Sequence, residues 1–331
     1  VRLRSIGDTV LVTPSLIALR RFLPEAQIDV LLEDWVAPVL EGFREVDNVL
    51  TFSRKSKKSR IETLLKLRRN KYDVVFNLHG GTTSTFFVRA ANAKHRVGFS
   101  HYRYKFLYNH LLSSAKDFWH AEKIHSAEQH LALLGFAGVP VSDKPKSRLT
   151  VTENARNSIE NKLDSAIRNP QSAIALLHPT AAFDTKQWAT ENFARVAEFL
   201  HEKDFSVVAI ATQKERAVLE NLKQNSRAPV AVFDDLTLPE ITALAEQAKL
   251  FVGNDSGIAH IAAAVETPSV VIFGSSNINH WRPWTDAPNE IVYEKFTCQP
   301  CAGHFCKEFG EPRCILSVKT ENVIQAIEKI I

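Results

Sequence analysis

The chain has no methionine, and its four cysteines all fall near the C-terminal end of its 331 residues. Nothing in the sequence explains the absence of methionine. Long apolar runs are also missing. No window holds roughly 18 uninterrupted apolar residues, so no transmembrane helix is expected. The first residues carry two arginines and no apolar h-region, so no signal peptide is expected. Val1 falls inside what reads as a strand, with no initiator methionine, and a few residues of that strand are expected to precede it. Several motifs are absent as well: G-x-G-x-x-G, G-x4-G-K-[ST], H-E-x-x-H and G-x-S-x-G. Their absence takes weight from dinucleotide dehydrogenase, P-loop NTPase, zincin and α/β-hydrolase readings. No D-x-D pair is present to bridge a metal to a nucleotide sugar. RRM, KH and zinc-finger signatures are lacking too, so no nucleic-acid partner is expected.

What remains is an ordinary globular composition with an uneven charge. The net charge is +4. Residues 1–150 hold 24 Lys and Arg against 14 Asp and Glu, and the remaining residues hold 17 against 23. The first half therefore suits an anionic partner: a phosphorylated substrate or an anionic lipid surface. Much of the excess lies in Arg54-Lys55-Ser56-Lys57-Lys58-Ser59-Arg60 and in residues 66–71. A solvated loop and helix face accounts for such a run equally well.

Short β-branched runs alternate with longer amphipathic ones, which argues for an α/β fold with parallel sheets. In the first half, strands are expected at 1–3, 28–32, 49–52, 74–78 and 96–97. Helices are expected there at 15–22, 61–69, 84–91 and 126–134. A polar stretch at 140–150 with Pro140 and Pro145 reads as a connector. A helical pattern at 155–167 is broken at Asn169-Pro170. The alternation then restarts. Strands are expected at 174–177, 207–211, 230–233, 250–252 and 269–273, and helices at 192–202, 215–225, 239–247, 258–265 and 321–331. Two Rossmann-like domains with parallel sheets facing a central cleft follow, residues 1–150 and 151–331. The last helix is free to pack back on the N-terminal domain.

The most informative stretch is Leu250-Phe251-Val252-Gly253-Asn254-Asp255-Ser256-Gly257-Ile258-Ala259-His260. It reads as a buried strand, a small-residue turn and the start of a helix. The first N–H groups of that helix lack intrahelical partners and can hold a phosphate. Asp255 and His260 lie beside them, able to read a sugar or neutral ligand edges. An ordinary turn with an Asx cap is the competing reading. Ser5-Ile6-Gly7-Asp8 mirrors this arrangement in the first half, where Asp8 is either a helix cap or a general base on an acceptor hydroxyl.

After the strand at 174–177, Thr180 is placed to meet a phosphate and Lys186 to neutralise it. Trp188 reads as packing. Glu215 is placed either to accept from ribose hydroxyls or to start a surface helix. Leu236, ahead of another helix, offers a wall for a base or is part of a capping turn. Cys298, Cys301, Cys306 and Cys314 read as free or structural thiols, a metal cluster or a disulfide set, with reduced thiols the default.

Together these segments resemble glycosyltransferase family 9, the ADP-heptose:lipopolysaccharide heptosyltransferases, over nearly the whole chain. The resemblance is carried by the R-S-I-G-D-T-V-L-V-T-P-S-L opening, Tyr72-Asp73-Val74-Val75 and Arg96-Val97-Gly98. In the second half it is carried by His178-Pro179-Thr180, Lys186-x-Trp188 and Gly253-Asn254-Asp255-Ser256-Gly257-x-x-His260. It implies a GT-B fold, with the acceptor on residues 1–150 and the nucleotide sugar on residues 151–331, and an inverting, metal-independent transfer of heptose from ADP-heptose to an inner-core sugar, with no cofactor. It further implies that Asp8 is the base and that Lys186, with Thr180, meets the donor diphosphate. By the same resemblance, Asp255 lies near the donor sugar, with Ser256, Gly257 and His260 in the phosphate motif. Glu215 and Leu236 fall where the family contacts ribose and adenine. Arg2 and the run containing Arg54, Lys57, Lys58 and Arg60 would face the anionic lipopolysaccharide acceptor. Hinge motion is expected to bring base and donor together. The expected location is cytoplasmic, with peripheral contact at the inner face of the inner membrane. A relative using another nucleotide sugar or glycan acceptor, or a GT-B-shaped nucleotide-sugar epimerase, is the alternative.

Overall fold

The structure, a computed structural model, describes residues 1–167, 172–301 and 303–331. The helix break expected at Asn169-Pro170 lies outside them. The chain forms two compact units, Val1–Thr150 and Val151–Ile331.

In the first unit, β1 (Asp29–Glu33) pairs in parallel with β2 (Asn48–Phe52). A second parallel sheet holds β3 (Val74–Phe76), β4 (His95–Phe99) and β5 (His110–Leu112) in that order. The strand expected at 1–3 is extended backbone that bonds to both sheets without forming a full ladder. Val1 donates to the Phe76 carbonyl at 2.6 Å, and Leu78 N–H donates to the Val1 carbonyl at 3.0 Å. On the other side, Arg2 N–H reaches the Leu31 carbonyl at 3.2 Å, and Glu33 N–H reaches the Leu3 carbonyl at 2.8 Å. This segment ends at the short helix Ile6–Val10, which carries Asp8. Leu3, Leu31, Leu50, Phe52, Leu67 and Phe87 form one buried cluster beneath it.

The second unit is built on one six-stranded sheet, all parallel, in the order β11-β10-β9-β6-β7-β8. Its strands are β6 (Ile174–His178), β7 (Ser206–Ile210), β8 (Val230–Phe233), β9 (Leu250–Asn254), β10 (Ser269–Phe273) and β11 (Asn289–Tyr293). Counted from the start of the unit, this is the 3-2-1-4-5-6 order of a Rossmann sheet. β9 and β10 are buried throughout, which is why both read as uninterrupted apolar runs. The last helix, Thr320–Glu328, packs on the helix Thr190–Glu202 and on β10 and β11 of its own unit.

One buried carboxylate ties two helices of this unit together. Glu240, in the first turn of the helix Leu238–Gln247, accepts from the Thr237 N–H and hydroxyl, both at 2.8 Å. Its other oxygen accepts from the Ser158 hydroxyl at 2.7 Å and Lys162 Nζ at 3.0 Å, both on the helix Glu153–Ala166. Burial raises its pKa, but these donors outweigh burial and bring it from 4.5 down to about 2. A depressed carboxylate pKa gives stability that is present above the unfolded value and lost as pH falls through the folded one. The acid limb of stability should therefore steepen between pH 4.5 and about 2. Glu240→Gln should flatten that limb in pH-dependent denaturant melts.

Candidate functional site

β6 and β9 are neighbours at the centre of the second sheet, and the chain leaves their carboxyl ends for opposite flanks. Such a switch point opens a crevice for ligands. Gly253 of β9 faces His178 of β6 in register. A Cβ on Gly253 would lie 2.6 Å from Phe251 Cζ and 3.1 Å from the His178 carbonyl oxygen. Only glycine allows this approach. Gly253→Ala should cost about 1–3 kcal/mol in unfolding free energy through overpacking, read by urea melts.

Next along the chain, buried Asn254 joins the loops of the crevice. Its Oδ1 accepts from Trp188 N–H at 3.1 Å, and its Nδ2 donates to the Pro179 carbonyl at 3.0 Å. Trp188 is fully buried, and its indole donates to the Val318 carbonyl at 2.9 Å, so it is packing. Asp255 is buried as well and pairs with Lys186, Nζ to Oδ2, at 2.9 Å. The Ser276 hydroxyl donates to the same oxygen. Lys186 closes the short turn Asp184–Lys186, which is anchored to the segment after β10. Ser275 N–H bonds to the Thr185 carbonyl at 3.2 Å and the Ser275 hydroxyl to the Thr185 hydroxyl at 2.9 Å. The lysine is thus held at a defined place among the strand ends.

The helix Gly257–Ala264 starts immediately after Ser256, whose side chain makes no cap bond to it. Its first N–H groups remain available to an anion. The Ser256 hydroxyl instead lies 3.1 Å from His178 Nδ1, and the Thr180 hydroxyl lies 3.3 Å from His178 Nε2. Burial pushes the His178 pKa down to about 4, so this imidazole bridges the two hydroxyls as a neutral ring. Lys186, Asp255, Ser256 and Thr180, all expected from the sequence, therefore stand at the ends of β6 and β9. Gly257 opens the helix, and His260 is buried within it.

Glu215 lies beyond β7 and acts as a cap, accepting from the Thr212 N–H at 3.0 Å and hydroxyl at 2.7 Å. Its charge also acts on His178, which places it near the crevice. Leu236 is half-buried, just before Thr237 caps the helix Leu238–Gln247. Three residues of the crevice carried no expected role: His178, Asn254 and Ser276. A strand followed by Gly274-Ser275-Ser276 was the available signal for Ser276, because small residues after a parallel strand mark a ligand-facing turn.

In the first unit, Asp8 forms an ion pair with Arg2 and accepts from the Ser5 hydroxyl at 2.8 Å and N–H at 3.2 Å. Burial works to raise its pKa, but the guanidinium and the Ser5 donors outweigh burial and hold it below the usual carboxylate value. Arg2, expected to face an acceptor, is buried, and its Nη1 also donates to the Leu78 carbonyl at 2.6 Å. Its evident task is to hold Asp8. His79 is close enough to feel both charges, and burial lowers its pKa to about 4. Arg54 is exposed and approaches Glu33 at 3.7 Å, as Arg4 does at 3.8 Å. Arg60 donates to the Arg54 carbonyl. Lys57 and Lys58 are exposed in the first turn of the helix Lys57–Arg69.

Cys298, Cys301, Cys306 and Cys314 are all free thiols. Burial, and then the neighbouring thiols, push the pKa of Cys301 and Cys314 up. Among the described residues, no group of three or more His, Cys, Asp and Glu is arranged to hold a metal.

A parallel Rossmann sheet with a cation and an open helix start at its switch point places the molecule among α/β proteins that carry a ligand crevice at their strand ends. Comparison with known proteins makes this specific. The sequence model of glycosyltransferase family 9 (heptosyltransferase) matches residues 61–310, and the chain belongs to that family. It is 30% identical over 299 residues to lipopolysaccharide heptosyltransferase 3 of Escherichia coli, covering 86% of this chain and 85% of that one. The crystal structure of a family 9 glycosyltransferase from Veillonella parvula aligns with a TM-score of 0.85 at 20% identity, over 99% of this chain and 94% of that one. The E. coli ADP-heptose lps heptosyltransferase II aligns with a TM-score of 0.82 at 20% identity, over 99% and 96% of the two chains. The fold is GT-B, and the protein is a glycosyltransferase.

Proposed function

We propose that this glycosyltransferase moves heptose from ADP-heptose to the lipopolysaccharide inner core in one inverting, metal-independent displacement. The observation that carries the reading is the Lys186–Asp255 pair beside the open helix start at Ser256. A leaving diphosphate needs charge stabilisation that grows as the glycosidic bond breaks. Lys186 supplies a cation, and the N–H groups after Ser256 supply aligned donors. Asp255 holds the lysine in place and lies where hydroxyls of the donor sugar would be read. Thr180 adjoins the phosphates, and Glu215 and Leu236 take the ribose and the adenine.

On the acceptor side, Asp8 is the base. It takes the proton of the attacking hydroxyl as oxygen bonds to the anomeric carbon and ADP departs. Arg54, Lys57, Lys58 and Arg60 suit the phosphates of an anionic core acceptor. The names of the relatives support donor and acceptor alike. Family membership does not favour the epimerase alternative. The test is incubation with ADP-heptose, with and without truncated lipopolysaccharide acceptors. Released ADP together with a heptose mass increment on the acceptor supports the reading. Turnover of the nucleotide sugar without acceptor, or transfer from a competing donor instead, overturns it.

A further inference from the structure

The helix Lys57–Arg69 buries only Thr63 and Leu67 towards the body of its unit. Its opposite face carries Ile61 and Leu65, which are 57% and 51% exposed. They stand one turn apart, flanked on one side by Lys57 and Arg68 and on the other by Lys58 and Arg69. An apolar centre with a cationic rim, turned away from the core, has no role in packing.

A second exposed apolar group stands on neighbouring elements. The helix packs beside the helix Thr82–Ala90, which exposes 54% of Phe86. The Phe86 ring lies 5.8 Å from Tyr104, and Tyr104 lies 6.2 Å from Phe106, which is 77% exposed. Arg103 stacks over Tyr104 at 5.1 Å. Residues 54–71 carry nine Lys and Arg and one acid, Glu62, while residues 82–107 carry five Lys and Arg and no acid. Two exposed apolar groups, Ile61 with Leu65 and Phe86 with Phe106, thus stand on packed, cation-rich elements. Isolated exposed apolar residues are ordinary, but a rimmed group of them marks an interaction site.

We propose that these groups form a membrane-docking surface, with Ile61, Leu65, Phe86 and Phe106 entering the interface of a bilayer and Arg68, Arg69 and Arg103 beside them meeting anionic lipid phosphates. A polyanion in water would use the cations and leave the apolar group exposed. A neutral protein partner would use the apolar group and leave the cations unsatisfied. An anionic bilayer satisfies both. The inference deepens the proposed function, because an enzyme acting on a lipid-anchored glycan gains from lying on the same surface as its acceptor.

The test is flotation with vesicles of phosphatidylcholine alone and of phosphatidylcholine with ~30% phosphatidylglycerol. The wild-type chain should float with the anionic vesicles and be released by salt. Ile61→Ser, Leu65→Ser and Phe106→Ser combined should lower that binding by about tenfold or more. The same variant should melt as wild type does and transfer sugar to a water-soluble truncated acceptor unchanged. Failure of the wild type to bind anionic vesicles overturns the proposal, and so does undiminished binding by the triple variant. Loss of transfer with vesicle binding intact would count against the enzymatic reading instead, so the two fail separately.

Discussion

Replacing Lys186 with alanine is expected to lower kcat by about 10²–10³-fold, the usual effect of removing one preorganised charge from a developing anion. The lysine is a source of positive potential at the β6–β9 crevice, as is the helix start after Ser256. Its loss also strands Asp255, a buried carboxylate that would keep only the Ser276 hydroxyl among its side-chain partners in the crevice. That should cost about 1–3 kcal/mol of stability, because a buried charged acceptor loses its strongest partner. The two consequences can be separated. Lys186→Ala combined with Asp255→Asn removes the stranded charge and should recover most of the melting temperature. It should recover none of the rate. Recovery of rate along with stability would mean that Lys186 serves only to neutralise Asp255.

How far the sequence revealed this molecule depended on burial. β9 and β10 are covered on both faces, and their apolar runs mark them plainly. β11, an edge strand at the end of the sheet, and the three-residue β5 went unmarked. Their residues are mixed, and a short strand at a margin needs no continuous apolar pattern. The helix expected at 61–69 begins at Lys57, because the Ser56 hydroxyl accepts from Ser59 N–H and caps a first turn that looks like a charged loop. In the crevice, residues on one β-to-helix turn were legible: Asp255, Ser256 and Gly257. Lys186 was legible only beside its Trp188 companion and through family resemblance. Ser276 was marked only by the small-residue turn after β10, and its bond to Asp255, across 21 positions, was not legible. Arg2 showed its charge in the sequence but not its burial. Only the fold, which threads residues 1–3 between β1 and β3, turns that guanidinium inward onto Asp8.

Asp8→Asn should lower transfer by about 10²–10⁴-fold while leaving ADP affinity essentially unchanged. The amide keeps the size of the carboxylate but cannot take the proton of the acceptor hydroxyl. ADP contacts are assigned to the second unit, so calorimetric titration of ADP into the variant should match wild type. Asp8→Ala should abolish transfer with the same binding result. Stability has to be followed alongside, because Asp8 is the ion-pair partner of buried Arg2. Arg2 keeps its bond to the Leu78 carbonyl, which should limit the damage. The pH profile provides a further check. Arg2 and Ser5 outweigh the effect of burial and hold the Asp8 pKa below its ordinary 3.8, so the carboxylate stays ionised down to lower pH than an unpaired one. The base form is therefore present across the neutral range, and transfer should show no Asp8 limb between pH 5 and 8. Arg2→Leu removes the guanidinium and leaves burial to act on Asp8, so its pKa should rise and an acidic limb should move up towards that window. Equal loss of transfer and ADP binding in Asp8→Asn would remove Asp8 from the role of base and leave it as the cap of its helix.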